Sequence, residues 1–326
     1  MQERARKRKT GGAAVPRLHK ADLHLLSVFM TVAECGGFAA AQVTLNVSQS
    51  TISRQIGDLE RRLGMRLCQR GRVGFRLTDK GRAVYEASQH LSTALESFRT
   101  AVGALRGELI GDLSIGVIDN WATETCEPLA GVLRAFRSRA RSVHIQFHTM
   151  APDEIEHAVL DNRVNLGIGV FHRHRPGLVY EALYDDPVEL YCGSGHPLFH
   201  RDPGELDRGD LESADLVHRA YLSERQVAPL TAGLRSTASA RQIEGLAFLI
   251  LSGWHLGYLP VSYAERWVRS GRMRPLLPET LRFDTKFELV TRRGAPLTLV
   301  AQTFADILRE RTRPLNRDRP GSVSQA

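Results

Sequence analysis

One stretch, residues 38–63, constrains the fold most, because it combines a compact apolar run, a short turn and a strongly amphipathic run. In the second run the apolar residues recur at helical spacing, at Ile52, Ile56, Leu59 and Leu63. Residues at that spacing share one face of a helix and need a core to cover them. Ser48 precedes the run, and its hydroxyl can accept a bond from a free N–H of the first helical turn. The stretch therefore predicts a helix, a turn at Asn46-Val47 and a second helix capped by Ser48.

The opposite face of the second predicted helix is polar. Short hydrogen-bonding side chains and guanidinium groups are the chemistry that reads base edges and holds phosphates in the major groove of DNA. A solvated face on an ordinary helical hairpin is the alternative interpretation. The predicted DNA-binding residues, including two on the segment that follows, are Ser48, Gln49, Ser50, Thr51, Ser53, Arg54, Arg61, Arg70 and Arg72.

The flanking segments favour the DNA-binding interpretation. An amphipathic helix is predicted over residues 21–35, stopped by Gly36-Gly37, and we expect its inward residues to be Leu23, Leu26, Met30 and Ala33. In the next helix we expect an apolar face of Ala39, Ala40, Ala41 and Leu45. After the stretch, Gly71 and Gly74 punctuate two short β runs bordered by arginines. Three helices followed by a basic hairpin is the order of a winged helix-turn-helix.

The residues that carry a family resemblance lie between Leu23 and Gly81. They are the run LLSVFMTVAECGGFAAAQVTLNVSQSTISRQIGDLERRLGMRL and the closing RLTDKG, and they resemble the N-terminal domain of the LysR-type transcriptional regulators. One departure is Cys68, where the family usually has an aromatic residue. The resemblance implies a sequence-specific regulator that binds promoter DNA as a dimer or a dimer of dimers.

The charge distribution agrees with a nucleic-acid partner for the N-terminal third. Residues 1–110 contain 18 Lys and Arg against 9 Asp and Glu, whereas residues 111–326 contain 26 against 27. The excess positive charge therefore accompanies the predicted helix-turn-helix, as expected for a surface that attracts phosphates. Residues 1–20, which include the run RARKRK, are predicted to be a disordered basic arm.

A long helix is predicted from the Thr78 cap onward, over residues 79–107. Its apolar residues repeat at alternating spacings of three and four, which is the pattern of two helices packed along each other. We interpret it as a dimerisation linker helix, as the resemblance also implies; an intrachain core helix is the alternative. The predicted dimerisation residues are Val84, Ala87, Leu91, Ala94, Phe98, Ala101 and Leu105.

From residue 108 onward, strand-like and helix-like runs alternate, which predicts an α/β fold with a parallel sheet. Strands are expected at residues 113–118, 143–150, 166–171, 188–193, 216–222 and 287–293, and helices at 122–139, 239–251 and 297–313. This half resembles the effector-binding domain of the same family, which is similar to the type 2 periplasmic binding proteins. The resemblance implies two lobes with a cleft between them. Lobe I would be about 111–181 and 283–313, and lobe II about 182–282.

Ligand groups are expected where strands end and helices begin, because free N–H groups point outward there. Several of these polar residues could equally be helix caps. The predicted effector-binding residues are Asp119, Asn120, Thr123, Thr149, Arg219 and Tyr221. Asp119 stands where the family frequently has Ser or Thr.

Other chemistry is not indicated by the sequence. The four cysteines are far apart, the histidines at 144, 148, 172 and 174 lack a metal-ligand pattern, and no catalytic or cofactor motif is present, so we expect no metal site and no cofactor. No apolar run is long enough to span a bilayer and no signal peptide is evident, which predicts a cytoplasmic protein. The LysR resemblance implies that the protein is bacterial.

The sequence thus predicts five segments: the arm at 1–20, a winged helix-turn-helix at 21–78, a linker helix at 79–107, an effector-binding domain at 108–313 and a disordered tail at 314–326. The expected partners are double-stranded promoter DNA, a small-molecule effector, further copies of the chain and, as a further candidate, RNA polymerase, with no membrane. Two alternatives stay open, an α/β enzyme fused to a DNA-binding module and an architectural DNA-binding protein without a ligand.

Overall fold

The computed structural model of the chain describes residues 19–71, 74–105, 108–119, 127–212, 214–219, 230–231 and 233–317. The chain divides into two compact units between Ala94 and Leu95, and each unit is described by itself.

The N-terminal unit consists of three helices, a hairpin and the first part of a long helix. Its elements are α1 (Lys20–Glu34), α2 (Phe38–Leu45), α3 (Gln49–Leu63), β1 (Cys68–Gly71), β2 (Gly74–Leu77) and α4 (Asp79–Leu105), and α4 continues into the second unit. The two strands pair antiparallel, with Cys68 opposite Leu77. The predicted order of a winged helix-turn-helix is confirmed.

The amphipathic pattern of α3 builds the core of this unit. Ile52, Ile56 and Leu59 are at most 1% exposed, and Leu63 packs against the same core. The turn before α3 depends on Asn46, which adopts a left-handed conformation with a φ of 51° and ends α2. Asn tolerates that conformation better than most residues. The apolar face predicted for α3 is therefore confirmed.

The predicted inward faces of α1 and α2 were wrong in part. Leu23 is 37% exposed, and Ala39 and Ala40 are exposed. The buried residues of these helices are instead Leu25, Leu26, Val28, Phe29, Val32, Phe38 and Ala41. The difference follows from Asp22, whose carboxylate accepts a bond of 2.7 Å from the His19 N–H and one of 2.8 Å from Arg62 of α3. This contact turns the Asp22 face of α1 toward α3.

The second unit is α/β. Its first elements are β3 (Ile110–Val117), α5 (Glu127–Arg139), β4 (Ser142–Thr149), α6 (Pro152–Leu160), β5 (Leu166–Val170) and β6 (Leu178–Gly193). Three short 3₁₀ turns follow, at Pro197–His200, Pro203–Glu205 and Gly209–Leu211. The remaining elements are β7 (Asp215–Arg219), β8 (Arg235–Ala240), α7 (Ile243–Leu251), β9 (His255–Pro260), α8 (Val261–Arg269), β10 (Met273–Leu276), β11 (Arg282–Arg292) and α9 (Leu299–Arg317).

Two long strands divide this unit into two lobes. The strand order is β4-β3-β5-β11-β6-β9-β7-β8, and β10 also pairs with β6. Strands β6 and β11 pair with each other along their length, so both run from the first lobe into the second. β11 pairs with β5 in the first lobe, whereas β6 pairs with β9 in the second. Both faces of each lobe's sheet carry a hydrophobic core. In the first lobe helices cover both faces, whereas in the second lobe α7 and α8 pack on one face and the segment with the 3₁₀ turns packs on the other.

Several sequence-based element limits in the described residues need correction. The strand predicted at 287–293 begins earlier, as β11 at Arg282. The predicted strand at residues 188–193 is only the end of β6, which begins at Leu178. The predicted helix from Ser239 begins at Ile243, because residues 235–240 pair with β7 as β8. The tail predicted to be disordered from residue 314 is helical as far as Arg317. At the other end, Lys20 already belongs to α1; the rest of the predicted arm, residues 1–18, lies outside the described residues.

Candidate DNA-binding surface and effector cleft

The start of α3 is fixed by a network of hydroxyl groups. The Ser48 Oγ accepts a bond from the Thr51 N–H at 3.2 Å, which confirms Ser48 as the N-cap. The same oxygen lies 2.9 Å from the hydroxyls of both Ser50 and Thr51. These hydroxyls hold one another at the helix N-terminus, where free N–H groups also favour an anion such as phosphate.

The outer face of α3 carries the predicted DNA-binding side chains. Gln49, Ser50, Arg54 and Arg61 are exposed, and Thr51 and Ser53 are half-buried. Arg61 is paired with Asp58 at 2.9 Å, which neutralises part of its charge. Arg54, by contrast, forms no ion pair with any residue that the structure describes. Arg54 is therefore the guanidinium on this face that is best placed to bind a base.

The hairpin, or wing, is attached to α3 by Glu60. The Glu60 Oε1 accepts bonds from the Leu67 N–H at 2.7 Å and from the Cys68 N–H at 3.1 Å, at the beginning of β1. Phe38 and Phe75 add an edge-to-face contact, with 5.7 Å between ring centroids. Glu60 was not predicted from the sequence. The pattern that indicates such a residue is an acidic side chain on α3 just before a hairpin.

A second attachment joins the wing to α4. The Thr78 hydroxyl donates to the Arg66 carbonyl at 2.8 Å and accepts from the Gly81 N–H at 2.8 Å, so Thr78 caps α4 as predicted. A Cβ at Gly81 would lie only 2.0 Å from the Leu67 carbonyl oxygen. Gly81 is therefore required for the close approach of α4 to the start of β1.

An open, basic groove of about 470 Å³ lies beside the wing. Its lining residues are Gln69, Arg76, Leu77, Thr78, Asp79 and Arg82. Arg76 and Arg82 are exposed, so two guanidinium groups border this groove. Of the two predicted wing residues, Arg72 and the side chain of Arg70 lie outside the described residues. Arg76 and Arg82 are thus two cations beside the wing that can attract a phosphate.

The predicted dimerisation residues fall into two groups. Val84 and Leu91 pack partly against the core of the N-terminal unit, which covers them within the chain. Ala87 and Ala94 are exposed, and the side chain of Ala101 lies outside the described residues. Farther along α4, an apolar stripe is exposed at Leu95 (41%), Phe98 (68%), Val102 (37%) and Leu105 (88%). The large exposed apolar side chains of α4 therefore lie in its second half, whereas in its first half only the small side chain of Ala87 is exposed among the predicted seam residues.

The cleft of the second unit brings together three of the predicted effector residues. Strands β3 and β4 are parallel, with Val117 opposite Thr149, so Thr149 and the nearby Asp119 lie at the same sheet edge. A pocket of about 80 Å³ is lined by Asp119, Thr149, Met150, Ala151, Glu154, Arg241 and Gln242. Arg219, at the end of β7, contacts Asp119 and so lies beside this pocket. The predicted residues Asn120, Thr123 and Tyr221 lie outside the described residues.

Two ion pairs connect the lobes at this cleft. Asp119 Oδ1 lies 2.5 Å from a guanidinium nitrogen of Arg219, and the two side chains are 11% and 6% exposed. Asp119 Oδ2 accepts a bond of 2.5 Å from the Ile243 N–H at the N-terminus of α7. Near the surface, Glu154 pairs with Arg241 at 2.5 Å. Asp119 therefore acts as a link between the lobes as well as a cap for α7.

The cleft residues that precede α7 were not predicted from the sequence. Arg241 and Gln242 stand just before α7, and the predicted helix start at Ser239 had placed both inside the helix. Glu154, in the first turn of α6, was not among the predicted effector residues either. Polar residues at helix N-termini are expected to face the cleft. That rule would have selected Arg241 and Gln242 if the helix had been predicted to begin at Ile243 instead of Ser239.

The cysteines in the described residues, Cys35, Cys68 and Cys192, are free thiols. Burial raises the pKa of the Cys192 thiol to about 11, which keeps it protonated and unreactive. Cys126 lies outside the described residues. In the part of the chain that the structure describes, there is no group of three or more metal-ligating side chains and no helix that could cross a membrane.

Both halves of the chain match known families. Residues 23–82 match the bacterial regulatory helix-turn-helix proteins of the lysR family, and residues 106–313 match the LysR substrate binding domain. The chain belongs to the LysR family. The resemblance seen in the sequence is confirmed over both segments, which together cover most of the chain.

Curated relatives and solved structures agree with the LysR assignment. The HTH-type transcriptional activator BauR of Pseudomonas aeruginosa is 44% identical over 285 residues, which are 87% of this chain and 93% of that protein. The SDS degradation transcriptional activation protein of a Pseudomonas species is 28% identical, over 88% of this chain and 95% of that protein. Full-length CbnR complexed with its target DNA has a TM-score of 0.60 at 20% identity, covering 89% of this chain and 99% of that one. LysG of Corynebacterium glutamicum with bound effector Arg has a TM-score of 0.55 at 16% identity, covering 89% and 97%.

These LysR relatives decide the class of function. The chain is a DNA-binding transcriptional regulator with an effector-binding domain, and it is not an enzyme. The solved structures, all at low identity, show the shared fold of a helix-turn-helix followed by a two-lobed α/β domain. The predicted fold class is confirmed.

Proposed function

We propose that this regulator reads promoter DNA through the outer face of α3, steadied by phosphate contacts at the wing. The observation that carries the proposal is the division of α3 into two faces. Ile52, Ile56 and Leu59 hold one face in the core, which leaves Ser50 and Arg54 on the exposed face. A helix so fixed can enter a major groove without rearrangement, and its Arg can bind the O6 and N7 atoms of a guanine.

Base contacts and phosphate contacts are assigned to different residues. Among the predicted residues, Ser48 serves as cap, whereas Gln49, Ser50, Ser53 and Arg54 face outward for contact with bases or phosphates. Arg76 borders the groove beside the wing and is suited to phosphates, whereas Arg61 already pairs with Asp58, which reduces its attraction for a phosphate. Phosphate contacts set position and affinity, while base contacts set specificity.

The exposed stripe on α4 supports assembly into a dimer or a dimer of dimers. Leu95, Phe98, Val102 and Leu105 follow one another at spacings of three and four residues, the pattern of a helix that packs along a second helix. Full-length CbnR has been solved as a complex with its target DNA. We extend to this chain a dimer in which two α3 helices bind two half-sites of the same promoter.

A small-molecule effector is proposed to bind in the cleft lined by Asp119, Thr149 and Gln242. The pocket there is about 80 Å³, below the roughly 300–1,000 Å³ of common ligand sites, so the effector is small or the lobes separate to admit it. LysG has been solved with bound effector Arg, and that ligand is a property of LysG. An effector changes regulation only if it binds one DNA-bound arrangement more tightly than another.

The segment limits and cellular partners complete the proposal. We assign residues 21–78 to DNA binding, 79–107 to the dimerisation linker and 108–313 to effector binding. Regulation of promoters requires access to chromosomal DNA, which supports a cytoplasmic location, and it makes RNA polymerase a partner to test. The effect of the regulator on RNA polymerase at the promoter then shows whether the chain activates or represses.

The DNA assignment is tested with Arg54→Ala and Arg76→Ala on the DNA next to the regulator's own gene and on random DNA. Arg54→Ala should cost about 1–3 kcal/mol on the specific site only, because it removes a base contact. Arg76→Ala should weaken binding to both DNAs alike and lower the slope of affinity against salt. Equal losses on both DNAs for Arg54→Ala would remove Arg54 from base recognition.

A further inference from the structure

The interlobe pair of Asp119 and Arg219 has the form of a filled carboxylate-binding site. Both oxygens of one carboxylate are engaged, Oδ1 by the Arg219 guanidinium and Oδ2 by the Ile243 N–H, each at 2.5 Å. Arg219 is 6% exposed and Asp119 is 11% exposed. A buried guanidinium together with the first N–H of a helix is what proteins use to bind a carboxylate or a phosphate.

In this chain the carboxylate in that site is part of the protein. Asp119 belongs to the first lobe, at the end of β3, whereas Arg219 and α7 belong to the second, separated from it by 100 and 124 residues along the chain. The contact is therefore made only when the two lobes come together. Asp119 also lines the pocket that Thr149, Ala151 and Gln242 line.

We propose that Asp119 is an internal ligand that fills the anion site of the cleft and excludes effectors carrying a carboxylate at that position. This inference rests on the proposed effector role of the cleft and specifies its chemistry. The effector then presents a neutral or cationic group toward Asp119, and Asp119 is the residue that determines this specificity.

The energetic reason is the cost of a displaced buried charge. An external carboxylate that took the place of Asp119 on Arg219 would leave the Asp119 carboxylate buried beside a second negative charge. Breaking a buried ion pair without replacing the partner is strongly unfavourable, and like charges at contact distance add to that cost. An effector group that carries no negative charge avoids both penalties. It can also hydrogen bond to Asp119 while the ion pair with Arg219 stays intact.

The second ion pair of the cleft provides a matched control. Glu154 and Arg241 also join the two lobes through a carboxylate and a guanidinium, but their side chains are 49% and 62% exposed. Removing the Glu154 carboxylate breaks an interlobe pair without leaving a buried cation. If interlobe pairing alone mattered, Glu154→Gln and a change at Asp119 would have the same effect on anion binding.

The experiment uses the full chain and acetate, the simplest carboxylate, titrated at constant ionic strength against chloride. Calorimetry and thermal unfolding are measured for the wild type, Asp119→Ser, Asp119→Asn and Glu154→Gln. We expect acetate to bind Asp119→Ser about tenfold or more tightly than it binds the wild type or Glu154→Gln, because one charge-assisted bond becomes available. Arg219→Gln in the Asp119→Ser background should abolish the gain.

Asp119→Asn keeps the volume of the side chain and guards against a failure of Asp119→Ser to fold; its unfolding temperature should rise with acetate more than that of the wild type. Acetate binding by the wild type equal to that of Asp119→Ser would overturn the proposal. So would an absence of any acetate effect in both Asp119 variants, which would make the pair a simple link between lobes. These readouts need neither DNA nor effector, so they are independent of whether Thr149 contributes to effector binding.

Discussion

The DNA-binding surface and the effector cleft are built in opposite ways. The predicted DNA-binding residues of α3 lie between Ser48 and Arg61, on one helix whose orientation is fixed by its own apolar face. The cleft instead depends on Asp119 and on two partners, Arg219 and Ile243, which lie 100 and 124 residues away from it along the chain. A local surface needs one helix to form, whereas the cleft needs two lobes to meet.

This difference has consequences for mutation. Changes near α3 act through a few short, well-defined contacts, such as those of Glu60 and Gly81 with the start of β1. Changes in the cleft act on an equilibrium between lobe arrangements, where a single contact shifts populations by the free energy of that contact. Effects on DNA binding and assembly should therefore be larger than effects on the effector response.

The largest effect is expected for Phe98→Asp. Phe98 is 68% exposed in a single chain, and a helix partner would bury it together with its copy. Burial of two aromatic side chains contributes at least about 3 kcal/mol, and a buried Asp is disfavoured as well, so the dimer should weaken by roughly 100-fold or more. Sedimentation should show monomers with an unchanged unfolding temperature of the N-terminal unit.

Leu91→Asp sharpens that test, because Leu91 packs against the core of its own chain. It should lower the unfolding temperature of the N-terminal unit rather than act on assembly alone. A stable dimer of Phe98→Asp with full promoter affinity would show that α4 is not a dimerisation helix.

The next largest effect is expected for Gly81→Ala. The added Cβ would lie 2.0 Å from the Leu67 carbonyl oxygen, so the helix must shift away from β1, at a cost of about 1–3 kcal/mol. Gly57→Ala on α3 is the matched control, since a Cβ there meets nothing within 4 Å. It should stabilise the unit by about 0.5–1 kcal/mol, because Ala favours a helix. Denaturant unfolding measures both, and equal signs would contradict the close approach at Gly81.

A somewhat smaller effect is expected for Glu60→Gln. The neutral amide weakens the two bonds to the Leu67 and Cys68 N–H groups, at a cost of about 1–2 kcal/mol. Asp58→Asn is the control, since Asp58 pairs only with the exposed side chain of Arg61 among the contacts described, and such pairs contribute little. Hydrogen exchange at the two amides should accelerate in Glu60→Gln and stay unchanged in Asp58→Asn. The reverse order would mean that Glu60 does not hold the wing.

The smallest effect is expected for Thr149→Val in the cleft. Thr149 is exposed at the end of β4 and lines the pocket with Asp119. Valine keeps the shape and removes the hydroxyl, so effector affinity should fall by about 0.5–1.5 kcal/mol. Calorimetry with the inducing metabolite measures the affinity, and a DNA-bending assay measures the response. Unaltered affinity would place the effector elsewhere in the second unit.

The same contrast explains what the sequence could predict. The helix-turn-helix, the Ser48 cap and the core face of α3 were predicted because helical spacing and capping are local properties. The α1 face was predicted with one wrong residue, Leu23, because the burial of Asp22 depends on Arg62, 40 residues away. Local patterns do not contain such a contact.

The cleft could be predicted only in outline. The rule that ligand groups gather at strand ends selected Asp119, Thr149 and Arg219, which the structure brings close together at the cleft, but it could not reveal that Asp119 binds Arg219. Arg241 and Gln242 were missed because the helix was predicted to begin at Ser239, which lies inside β8 (Arg235–Ala240). Strand pairing with β7 decides that limit, and pairing is a tertiary property.

The most direct measurement is the effector-free affinity of Arg54→Ala, Thr149→Val and the double variant for the DNA next to the regulator's own gene. If DNA recognition and effector response use separate residues, Thr149→Val should bind like the wild type. The double variant should then match Arg54→Ala within about 0.5 kcal/mol, as expected for independent sites. A loss of DNA affinity in Thr149→Val as large as that in Arg54→Ala would contradict this separation.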